Sequence, residues 1–173
     1  SDARGQVFRA LSDELKTRPL WYLIRHGLQV RGVRLNLYYP TPRSRAEAAS
    51  SRHDQNRFAV RPHFYFGDTH QEVDLVVFLN GLPIVALELK HQAGAQRWNV
   101  HHAVAQFAQR DHAQPIFRLP FLYLAADTTE VKMATDPRKE GNFRWFNTGL
   151  VNAPITPPGA DGVGEYAVEY LYR

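Results

Sequence analysis

The sequence predicts an α/β fold on three observations. In VDLVVFLNGLPIVALELKH, Val73 to His91, two apolar runs rich in β-branched and aromatic residues flank Asn80-Gly81 and read as a β-hairpin. Apolar residues return at helical spacing on both sides of that hairpin, from Gln6 to Leu15 and from His91 to Arg110. Further runs, Phe58 to Phe66, Phe117 to Ala126 and Glu130 to Ala134, supply more strands before and after it.

The first helix is carried by Val7, Phe8, Leu11 and Leu15, and Pro19 either opens a second helix or breaks the first. Its Asp13 and Glu14 read as a solvated face. Gly27 to Tyr39 is strand-like, alternating at Val33, Leu35 and Leu37 until Pro40 and Pro42 end it. The polar segment TPRSRAEAASSRHDQNR reads as a loop or short helix. Phe58, Val60, Phe64 and Phe66 then alternate along a strand expected to pair with the hairpin. Arg57, Arg61 and His63 lie on it; Arg61 and His63 are candidates for contact with a phosphate backbone, against the simpler reading of an exposed strand face.

After the hairpin, Val100, Ala103, Val104, Phe107 and Ala108 form an apolar stripe, with Asn99, His102, Gln106 and Arg110 on an adjacent polar face. Trp98 reads as core or helix packing rather than a base-stacking platform, because no regular series of aromatics accompanies it. Four histidines fall between His91 and His112, but His101 and His102 are adjacent and no pair has zinc-ligand spacing, so zinc is set aside. Asp127-Thr128-Thr129 joins the last two strands. Lys139 to Gly149 is aromatic and broken by Gly and Asn, and Pro154 to Gly164 is a loop. The terminal EYAVEYLYR is a short helix closing the domain or the start of a linker.

Charges at the ends of the greasy hairpin need a reason. Asp74 opens the first run, and Glu88 and Lys90 close the second, where an unpaired buried carboxylate is costly. Side chains alternate along a strand, so Glu88 and Lys90 share a face. Asp74 joins them if the loop has an odd residue count or a bulge shifts the register, and a three-residue loop Asn80-Gly81-Leu82 is the expected solution. Two carboxylates and an ammonium on one face suit hydrolysis of a phosphodiester with Mg²⁺, which accepts few protein carboxylates and keeps waters and phosphate oxygens. Lys90 would orient the water or neutralise charge growing on the phosphorane, and the Leu89 carbonyl would add a neutral oxygen ligand. The competing reading of Glu-x-Lys alone is the solvated end of a strand.

At 173 residues, 44% hydrophobic and 22% charged, the chain fits one soluble globular domain with a real core. Twenty-one Lys and Arg against 17 acids give +4 and a pI near 9.5, which favours an anionic partner. With no cysteine, disulfides, thiolate zinc sites and a cysteine nucleophile are excluded, in keeping with a reducing, cytoplasmic setting. No apolar run approaches about 20 residues, so no membrane partner is expected. No signal peptide is evident, and the opening SDARGQ, without Met, reads as a fragment edge. There is no Gly-x-x-x-x-Gly-Lys-Ser/Thr, so ATP is not cradled here by that route.

The Asp, the apolar hairpin and Glu-x-Lys together resemble the PD-(D/E)XK nuclease signature. The fuller stretch, with NGLP and ELK together, is similar to the N-terminal nuclease domain of the R (restriction, motor) subunit of type I restriction enzymes. The segments around Gln106-Phe107, LYLAAD, EVKMATD, FRWFNTG and EYLYR are also similar, so the likeness runs from about Gly27 to the end and is most specific in the hairpin. It implies a restriction-endonuclease-like core, a mixed central sheet flanked by helices, as one nuclease domain over 1–173 of a longer motor subunit. It implies that Asp74 and Glu88 ligate Mg²⁺ and that Lys90 is the catalytic lysine. Only the resemblance implies the alternative for Asp13 and Glu14, an extra acid from the first helix. The family's Gln-x-x-x-Tyr element is matched by Gln106, but Arg110 stands where the Tyr belongs and is a candidate phosphate contact instead. The implied partners are double-stranded DNA, motor domains of the same polypeptide that use ATP, and methylation and specificity subunits. Two further readings stand beside this one: a catalytically silent DNA-binding or docking module, and a related repair or RNA nuclease.

Overall fold

The computed structural model describes residues 2–42, 51–67, 70–91 and 98–146. Expectations for the Pro/Gly loop at 154–164, for EYAVEYLYR and for part of the polar segment after Pro42 lie outside the described residues. Among those described are helices α1 (Ala3–Glu14), α2 (Leu20–His26) and α3 (Val100–Gln109) and strands β1 (Leu28–Val30), β2 (Val33–Leu35), β3 (Phe58–Tyr65), β4 (Glu72–Leu79) and β5 (Leu82–Leu89). Strands β6 (Leu122–Ala126), β7 (Val131–Ala134) and β8 (Arg144–Trp145) complete the set. Strands β3 to β8 form one sheet in chain order, and β1 and β2 form a separate pair. The β5–β6 pair is parallel while β6–β7 and β7–β8 are antiparallel, so the sheet is mixed. No helix among the described residues is long and apolar enough to cross a membrane.

Two compact units divide the chain, Ser1–Val60 with Val77–Ile84, and Arg61–Val76 with Val85–Arg173. In the first, Asp2 caps α1 by accepting from the Gly5 amide, and Pro19 opens α2 as its N-cap. Leu20, Leu23, Leu28, Leu79 and Ile84 are its buried apolar residues. The expected single strand over Gly27 to Tyr39 is instead a hairpin, β1 and β2, because Arg31 and Gly32 both take positive φ and turn the chain.

The same correction applies to the central hairpin. Its loop has two residues, not three: Asn80 and Gly81 take φ of 50° and 83°, and Leu82 already belongs to β5. Asn80 is held there by its side chain, which accepts from the Arg57 amide at 2.7 Å and donates to the Leu37 carbonyl at 2.8 Å. Asn tolerates left-handed backbone, so no third residue is needed.

The second unit owes its core to α3. Val100, Ala103, Val104 and Phe107 are buried at the spacing of one helix face. Phe107 meets Tyr123 edge-on at 5.7 Å and stacks on Phe143 at 5.8 Å. The helix starts at Val100 rather than near His91, with Asn99 as its N-cap. Asp127, 5% exposed, fixes that start: Oδ2 accepts from the Val100 amide, while Oδ1 accepts from the Thr129 and Glu130 amides. Phe117 lies in a short 3₁₀ turn (Pro115–Phe117), so the strand expected from Phe117 begins only at Leu122.

Candidate active site

Strand β5 delivers Glu88 and its end delivers Lys90. Burial alternates along β5 at Ile84, Ala86 and Glu88, so pattern alone forces a carboxylate into the core face, where it is fully buried. The ladder continues past the strand, since the Lys90 amide donates to the Ala126 carbonyl of β6 at 2.8 Å. Asp74, on β4, reaches this end of β5: its Oδ2 accepts from the Leu89 amide at 2.6 Å. The three-residue loop was expected to bring Asp74 here. The turn has two residues, so that loop does not bring it; along β4 the buried residues Val73, Val76 and Leu79 are three apart, and burial there does not follow the period-two pattern.

Helix α3 closes the cluster. The Gln106 amide nitrogen donates to Glu88 Oε2 at 2.9 Å, and its carbonyl accepts from Lys90 Nζ at 2.5 Å. One neutral side chain thus bridges the acid and the amine, fixing both.

Arg110, a candidate phosphate contact, is engaged with the acid of the site itself. Its guanidinium donates to Glu88 Oε1 at 3.0 Å and to the Glu72 carbonyl at 2.7 Å, and it lies near the rings of Phe66 and Phe117. The physical reason is the buried charge of Glu88, which needs a partner. The Glu88 carboxyl is nevertheless pushed up to about 7, first by burial and then by the negative charge of Asp74, against the hydrogen bond and charge of Arg110 and the charge of Lys90.

Arg61 is exposed on β3. His63 is exposed too, and its Nδ1 lies 3.2 Å from Glu72 Oε1. Neither joins the Asp74–Glu88–Lys90 cluster. Asp13 and Glu14 of α1 pair with Lys16 and Arg18 just beyond the helix, as a solvated face does. Leu89 is 46% exposed, with its amide committed to Asp74. Among the described residues no three His, Cys, Asp or Glu gather as a metal site. Two carboxylates with a neighbouring main-chain carbonyl still suit Mg²⁺, whose shell is completed by water and substrate. Each carboxylate oxygen that accepts one hydrogen bond keeps a second lone pair. The mutual repulsion of Asp74 and Glu88 is what a cation would relieve, so the residues fit the ion.

Sequence reasoning missed two residues. Asp127 falls in the expected turn, and its bond to the Val100 amide, 27 residues earlier in the chain, has no linear signature. Trp98, expected in packing, is 44% exposed. It lines a cavity of about 420 Å³ with Lys90, His102, Ala105, Gln106 and Gln109, beside the acid–amine bridge.

A family model described as the type I restriction enzyme R protein N terminus matches residues 42–142. No curated protein matches the chain.

Proposed function

Since the chain belongs to the family of type I restriction enzyme R protein N termini, we propose that it is a Mg²⁺-dependent endonuclease domain of the PD-(D/E)XK class, cutting DNA as part of an R subunit. The observation that carries this reading is the bridge by Gln106 between Glu88 and Lys90, with Asp74 against the same strand end. An acid pair and an amine held this way match the needs of phosphodiester hydrolysis.

Asp74, Glu88 and the Leu89 carbonyl would hold the metal, which when bound supplies Lewis-acid polarisation of the phosphodiester and a more acidic water. Lys90 presents its ammonium to the scissile phosphate, neutralising charge that grows on the oxygens, while Gln106 restricts where that ammonium sits. Arg110 compensates the Glu88 carboxylate from the other side and keeps it ionisable in a buried position. None of these side chains reads a base, so the cut is not sequence-selective at this site. Methylation and specificity subunits would choose the target, and ATP-using motor domains would bring double-stranded DNA to the cleft, in the cytoplasm.

In a competent assembly, Asp74→Ala, Glu88→Ala and Lys90→Ala should each cut Mg²⁺-dependent nicking of a plasmid by at least about 100-fold, the scale at which removing one electrostatic stabiliser is felt. Retained nicking in all three would refute the proposal. A second reading, a silent DNA-binding or docking module, is favoured by the Arg110–Glu88 ion pair, in which a fixed cation already neutralises the acid. That module would bind DNA equally well in Mg²⁺ and in chelator and would cut nothing.

A further inference from the structure

We propose that the cavity lined by Trp98, His102, Gln106, Gln109 and Lys90 is a subsite for an unstacked nucleobase of the strand whose phosphate meets Lys90. The proposal deepens the nuclease reading and rests on it for the choice of substrate.

Five observations combine. The cavity, at about 420 Å³, is of a size that holds a small planar group. Trp98 lines it and keeps 44% of its surface exposed, although an indole gains from burial. The Trp98 and His102 rings stand at 82° with centroids 4.7 Å apart, so the imidazole braces the indole in one orientation. His102, Gln106 and Gln109 recur at three- and four-residue spacing on α3, so one helix face walls the cavity with the bracing imidazole and the amides. Gln109 is exposed at that wall, and an amide offers a donor and an acceptor side by side, the pattern that meets a base edge.

The link to chemistry is Lys90, which lines the cavity and is also bonded to Gln106. A base seated against Trp98 would therefore adjoin the phosphate that Lys90 faces. Stacking on an aromatic side chain tolerates any base, which suits a site that does not select sequence. A duplex base cannot enter without leaving its stack, so single-stranded or melted DNA is the preferred ligand.

The test measures binding of a fluorescent single-stranded 12-mer to the 173-residue chain in EDTA, where no cutting occurs. Trp98→Ala should weaken binding about 5- to 100-fold, Trp98→Phe should restore most of it, and Gln109→Ala should give a smaller loss. An oligonucleotide of abasic sugar-phosphates should bind wild type and Trp98→Ala alike. Equal binding of the ordinary oligonucleotide by wild type and Trp98→Ala, or no binding by wild type, overturns the subsite. Circular dichroism of each variant separates loss of the base contact from loss of fold. Nicking assays fail separately: a Trp98 effect without metal-dependent cutting keeps the subsite and removes the nuclease, and cutting without a Trp98 effect does the reverse.

Discussion

Glu88 places a carboxyl group where water does not reach, with Asp74 beside it and Arg110 and Gln106 as its hydrogen-bond donors. With the folded value at about 7 and the ordinary value at 4.5, the folded chain keeps a proton that the unfolded chain has lost throughout the interval between them. Stability from this group is therefore highest below pH 4.5, falls as pH rises toward 7 and is level above it, a change on the order of 3 kcal/mol. Denaturant titrations of the metal-free chain at pH 5 and pH 8 should show that decline, and Glu88→Gln should flatten it. If Glu88 ligates Mg²⁺ as proposed, Mg²⁺ binding should strengthen over the same interval, since a ligating carboxylate must lose its proton. Glu88 and Lys90 were legible because charges at the end of an apolar run are anomalous in themselves. Arg110 was legible only as a departure from the family's Tyr, and its true partner needed the fold. Trp98 packs on His102 of α3 as a helix-packing aromatic does, but a lone aromatic gives no linear sign that a cavity opens beside it.

At the scale of elements, the hairpin was legible from Asn80-Gly81, but the length of its turn was not. That length depends on Asn80 adopting positive φ, which its bonds to Arg57 and Leu37 secure from distant parts of the sequence. Helix α3 was legible in its apolar face and misjudged at its start, because the N-terminal boundary is set by Asp127, 27 residues after Val100. Asp127→Ala should cost about 2 to 3 kcal/mol in thermal or denaturant unfolding, through loss of a helix cap and a buried charged acceptor. Asp127→Asn, which retains an acceptor oxygen, should cost less. Because α3 carries Gln106, the alanine variant should also lower any metal-dependent nicking more than its stability loss explains, read by comparing activity at a temperature where both proteins are folded.

For the molecule as a whole, the +4 charge and the exposed Arg61 bear on the proposed binding of duplex DNA. If Arg61 contacts a phosphate, Arg61→Ala should reduce the slope of log binding constant against log salt by about 1 and leave sequence preference unchanged. An unchanged slope would return β3 to an ordinary exposed strand. The α/β class follows from the alternation of strand and helix patterns that the residues carry, whereas the mixed sheet is an implication of the family resemblance alone. The division into two compact units does not, since both draw on the same long strands, β4 and β5, and no composition shift marks the boundary.

The main chain at Lys90 is bonded to Ala126, the next residue is Asp127, Asp127 holds the first amide of α3, and α3 returns Gln106 to Lys90. This circuit has no loose end, so one part cannot breathe while the rest stays shut. In deuterium exchange, the amide protons of Lys90 and Val100 should be lost together, in a single concerted opening.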